Sequence, residues 1–133
     1  MIKYKFLKHT ADAKFKAYGT NLNERFENAA LAMLSIMFNI EEIKPIEEKK
    51  IKIKGIDVKS LLYNFLEELI FLLDSKQFVP SEVKVKLHKS KKELTATLKG
   101  DNTEKYQSHG GVKAVTYAEM KVLKNYVQVV VDI

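Results

Sequence analysis

Seven short runs in this chain alternate apolar and polar residues, and two longer stretches among them do not. The alternating runs are IKYKFL, AKFKAY, KIKIKG, EVKVKLH, ELTATLK, KAVTY and YVQVVVDI. A period of two sends successive side chains to opposite faces of a strand, so these runs suit a sheet with one buried and one solvated face.

The other two stretches carry helical spacing. Leu22, Phe26, Ala29, Ala30, Met33, Leu34 and Met37 recur at intervals that form one stripe, predicting a helix over residues 22–38. Asn21 followed by Glu24 supplies its start, an acceptor for first-turn amides with an acid at the positive end of the dipole. VKSLLYNFLEELIFLLDS, with Asp57 before it as cap, predicts a second helix with a wider apolar stripe. HKSKKE reads as a hairpin turn between Leu87 and Leu94, and Pro45 marks a break in a polar connection. The expected fold class is α+β: one domain over residues 1–133, two amphipathic helices packed on a mainly antiparallel sheet.

At 133 residues and 46% hydrophobic content the chain can bury a core without metal or disulfide staples. It has no cysteine, which removes disulfides, thiolate zinc sites and cysteine nucleophiles. No run of about 18 apolar residues spans a membrane, and the lysine-studded start lacks a signal-peptide core, so a soluble cytoplasmic protein is expected. The net charge of +6 raises the question of a nucleic-acid partner. Arg25 is the single arginine, however, and lysines such as Lys3 and Lys5, Lys50, Lys52 and Lys54, or Lys84 and Lys86 fall at alternating positions that solvate a sheet's outer face.

No phosphate loop, dinucleotide fingerprint or zinc helix is present. Of the three histidines, His88 falls in a lysine-rich strand end and His109 in a glycine loop, positions of ordinary surface polarity. Asp12, in HTAD, reads locally as a turn residue. Asp132, in VVVDI, ends the most hydrophobic strand, where packing gives a charge nothing. Chain ends of a domain often lie close, so the two carboxylates are expected to meet, needing a shared divalent cation or a shared proton. Ile133 would add a terminal or main-chain oxygen.

HTADAKFKAYG, LNERFENAALAMLSIM, LLYNFLEELIFLLDS, HGGVKAVTY and VVVDI stand in an order and spacing that resemble the archease family over nearly the whole chain. The resemblance implies a cytoplasmic accessory protein, not an enzyme, that activates the GTP-dependent tRNA-splicing ligase. That ligase joins RNA ends bearing 2′,3′-cyclic phosphate or 3′-phosphate to 5′-hydroxyl ends. The implied activator promotes guanylylation of the ligase and its multiple turnover, meeting tRNA through the ligase complex, with no role for DNA or membrane. The family's metal site maps onto Asp12, Asp132 and Ile133, the last through main-chain oxygen. Calcium is the implied ion, with magnesium and manganese as alternatives. His9 and Thr10 would orient the ligand loop. Ala118 stands where many relatives have histidine. Two rival classes remain open: a lysine-rich RNA-binding or chaperone-like module without a metal role, and a metal-dependent hydrolase, for which no base or nucleophile is evident.

Overall fold

A computed structural model describes residues 2–8 and 12–133. Seven strands and two long helices alternate along the chain: β1 (Tyr4–Leu7), β2 (Ala13–Tyr18), α1 (Leu22–Ser35), β3 (Glu47–Lys54), α2 (Val58–Lys76), β4 (Phe78–Leu87), β5 (Glu93–Asn102), β6 (Ala114–Val122) and β7 (Tyr126–Asp132). The α+β expectation holds, and the strands divide into two antiparallel sheets, ordered β1-β2-β7-β6 and β3-β5-β4.

Helix α1 starts where its cap predicts. The Asn21 side chain accepts from Glu24 N at 2.9 Å, and the Glu24 carboxylate accepts from Thr20 N at 3.1 Å. It ends three residues earlier than its apolar stripe suggests, because Ile36 and Met37 donate to carbonyls three residues back and tighten the last turn. The loop containing His109 then takes up carbonyls at that end: His109 N donates to Met37 O at 2.9 Å, and its Nε2 lies 3.1 Å from Ser35 O. Helix α2 is closed at its start by Asp57 and Ser60, each side chain bonded to the other's backbone N–H, and at its end by Gln77 in the left-handed region at φ 51°.

The core forms where the two helical stripes meet the strands' apolar faces. Phe26 of α1 and Phe65 of α2 are fully buried and stack with ring centroids 6.2 Å apart, while Phe15, Val127, Val129 and Val131 line the inner face of the four-stranded sheet. The alternating lysines Lys3, Lys5, Lys50, Lys52, Lys54, Lys84 and Lys86 are exposed, as expected of an outer face. Strand β4 begins four residues before its alternating run, because Pro80 and the register shift between Pro80 and Glu82 hide the period there.

Helix side chains also close strand edges. Glu27 and Asn23 of α1 accept from Val85 N and Leu87 N of β4 at 2.8 and 2.9 Å. Glu67 of α2 accepts from Val115 N of β6 at 2.6 Å. Arg25 is buried and donates from Nε to Gly19 O and from Nη1 to Leu123 O, tying the turn before α1 to the β6–β7 hairpin. Burial lowers its pKa, with Glu24 pulling the other way.

Asp101, almost wholly buried, accepts from Asn102 N at 2.8 Å, Tyr106 Oη at 2.8 Å and Lys105 Nζ at 3.0 Å. Burial pushes this carboxyl upward, but the three donors outweigh it and hold it below the usual carboxylate value. A carboxyl lowered in the folded chain stabilises the fold above its unfolded pKa and loses that contribution as pH falls through the folded value. The Tm gap between wild type and Asp101→Asn is therefore expected to be widest near neutrality and to close in acid, as read by thermal unfolding across pH. Glu67→Ala leaves the Val115 N–H without its acceptor and is expected to cost about 1–3 kcal/mol in denaturant unfolding.

Candidate metal centre

The antiparallel register of β2 and β7 pairs Ala13 with Val131. Asp12 stands just before Ala13, in the bend that opens β2, and Asp132 just after Val131, at the end of β7. Residues directly opposite in an antiparallel pair share a face. Lys14 and Val130 are such a pair, and Asp132, two residues beyond Val130, lies on their face, turned away from the core-facing Phe15 and Val129. Both aspartates are half-buried. The sequence expectation brings together carboxylates from opposite ends of the chain, and the register sets the two chain stretches that carry them side by side, Ala13 against Val131.

Asp132 is held on its other side by β6, where it pairs with Ala114 and its carbonyl accepts from Lys113 N at 2.7 Å. Ile133 follows immediately, half exposed. His9 and Thr10 lie outside the described residues.

Two further charged groups stand on this face. Lys14 Nζ donates to Glu119 Oε1 at 3.0 Å, the lysine largely covered and the glutamate half exposed. Glu119 reaches Lys14 because β6 bulges: the register passes from Thr116↔Val130 to Lys121↔Gln128, so residues 117–120 face Val129 alone. Glu119 sits at φ 53°, a conformation costly for a residue with a Cβ. Gln128 Nε2 donates to Glu119 O at 2.8 Å, Thr116 Oγ1 donates to Val130 O at 2.9 Å, and Ala118 N donates to Thr116 Oγ1 at 3.2 Å. These bonds hold the bulge over the outer face of β7 and account for a buried glutamine where alternation predicts a solvated one.

Lys16, two residues beyond Lys14, places its ammonium 4.4 Å from the Tyr126 ring centroid. Lys14 and Lys16 are therefore both engaged. Sequence reasoning missed Lys14 and Glu119 as members of this face. AKFKAY did place Lys14 outward, but YAEMKV gives no period from which the bulge could be read.

The donor chemistry here is oxygen only. Carboxylates and main-chain carbonyls suit a hard divalent ion, with water completing the shell. Among the described residues, no group of three or more histidine, cysteine, aspartate or glutamate side chains is arranged to hold a metal.

Residues 4–133 match the model of the Archease protein family (MTH1598/TM1083). The chain belongs to the archease family. Similar proteins named Protein archease come from Methanothermobacter thermautotrophicus, 40% identical over 90% of this chain and 88% of that one, and from Sulfurisphaera tokodaii, 38% identical over 92% and 89%. The fold matches the solution structure of Methanobacterium thermoautotrophicum protein 1598 at a TM-score of 0.78 and 33% identity, over 98% of this chain and 99% of that one. Ala118 donates its backbone N–H to Thr116 Oγ1, and its side chain is exposed.

Gln128→Leu removes the donor to Glu119 O. It is expected to cost about 0.5–1.5 kcal/mol and to speed amide exchange within residues 117–120, read by hydrogen exchange with mass spectrometry.

Proposed function

We propose that this protein activates the GTP-dependent tRNA-splicing ligase, promoting ligase guanylylation and repeated joining of RNA ends, and that it does so through a divalent ion held by Asp12, Asp132 and the main-chain oxygen of Ile133. The reading rests on family membership over almost the full chain, and on one observation above all: the β2–β7 register, whose last pair, Ala13 with Val131, adjoins both aspartates in sequence. The protein's part is that of an accessory factor rather than an enzyme, working in the cytoplasm and meeting tRNA within the ligase complex. No helix among the described residues is long and apolar enough to cross a membrane.

Calcium, magnesium or manganese would each accept such oxygen donors and would supply positive charge where phosphoryl transfer accumulates negative charge. The chain's own residues prepare the place for it. Strands β2 and β6 flank β7 and fix the Asp132 backbone, so this part of the proposed site has little conformational freedom left to lose. The ammonium of Lys14 is committed to Glu119. That pairing limits its competition with a cation for the carboxylates.

The rival reading as an RNA-binding or chaperone-like module lacks an arginine to carry it, since Arg25 is buried against backbone carbonyls. The test is guanylylation and multiple-turnover ligation by the cognate ligase, with calorimetric titration of calcium, magnesium and manganese into the accessory protein alone. Wild type is expected to stimulate the ligase and bind an ion. Asp12→Ala and Asp132→Ala, folded by circular dichroism, are expected to lose both. Full stimulation by both variants would remove the metal role; steeply salt-dependent tRNA binding insensitive to either variant would favour the RNA-binding module.

A further inference from the structure

Away from the paired aspartates, two contiguous hollows of about 450 and 430 Å³ form a groove between β1 and β4, with Leu31 of α1 common to both. Its walls are strand edges. On β4, Val85 N and Leu87 N point away from β5 toward α1, while His88 N bonds to Glu93 O across the β4–β5 ladder. Alternation then aims the N–H of Val83, a groove residue, away from β5 on the side facing the groove. On β1, Lys3 O accepts from Tyr18 N at 2.8 Å, so the backbone groups of Lys3 and Lys5 face β2 and those of Tyr4 and Phe6 face the unpaired edge. Neither helix-borne acceptor that closes β4 further along reaches Val83.

The charge of this groove runs against that of the protein. Glu24, Glu27, Glu41 and Glu82 line it with Lys3, four acids to one base, in a chain of net charge +6. Glu41 and Glu82 are exposed. Leu31, Ile43 and Val83 add apolar surface between them.

We propose that the groove takes an extended basic segment of a partner protein, added as a strand between β1 and β4. Its backbone would pair with the edges, every second side chain would pack toward Leu31, and its lysines or arginines would meet Glu41 and Glu82. RNA is repelled by the four carboxylates.

The test uses the full-length ¹⁵N-labelled protein without divalent ion, titrated with a short synthetic peptide alternating valine and lysine and with its valine–glutamate counterpart. The valine–lysine probe is expected to shift the amides of Tyr4, Phe6 and Val83, and the glutamate probe to leave them unmoved. Glu41→Lys with Glu82→Lys is expected to weaken the basic probe about tenfold or more, ~1.4 kcal/mol per tenfold. Val83→Pro removes the groove-facing N–H on the side away from β5, and is expected to abolish binding with an unchanged thermal midpoint. Equal binding of both probes, shifts confined to other surfaces, no binding by the folded protein, or tighter binding of oligouridylate at the same amides would each overturn the proposal. Neither Asp12 nor Asp132 enters the test, so its failure leaves the proposed ligase activation standing.

Discussion

Two sheets can be held in one small protein only if their edges are managed, and here helix side chains manage them. Glu27 and Asn23 bind the edge of β4 from α1, and Glu67 binds the edge of β6 from α2. An unpaired strand edge is a template for aggregation, and a partly buried N–H without an acceptor is costly. Each of these bonds removes both liabilities and also fixes where a helix sits along a sheet. Hydrophobic burial supplies most of the driving force but has no direction of its own. The three carboxyl and amide oxygens supply register.

The same logic places the carboxylate pair. β7 is a central strand, bracketed by β2 and β6, and its inner face is lined by fully buried valines. A shift of one residue in the β2–β7 pairing would turn Phe15 outward and separate the aspartates, so the burial that defines the core also defines the site. In the proposed site, like charges brought together would raise the free energy of the fold unless a cation, a proton or a basic group offset them.

Alternation and helical period made most of the architecture legible. Strand β2 and the start of α2 coincide with their sequence signals, because each is a simple period bounded by a clear cap or turn. The pairing of the two chain ends, β2 with β7, was legible too, since it needs only strand faces and proximity of the chain's ends. What escaped depends on long-range geometry. Glu27 and Glu67 read as solvated acids on helix faces until the strand edges they bind are known. Gln128 and Arg25 are polar residues whose burial is balanced by carbonyls distant in sequence, and local pattern carries no trace of those partners. The bulge at residues 117–120 breaks the period that would have placed Glu119 beside Lys14.

The sheet's own register keeps the two surfaces apart. The carboxylates sit where Ala13 meets Val131, and the groove opens near the other end of β2, where Lys3 lies against Tyr18. At about 3.3 Å per residue the six residues of β2 separate these ends by ~20 Å. A segment docked in the groove against β1 and β4 would therefore leave the carboxylate end open to a second contact, the two surfaces being joined through the β1–β2 ladder. Two weak contacts made at once on a rigid support gain from effective concentration. If the two proposals hold together, the groove would keep a partner in place while the carboxylate end approached and withdrew.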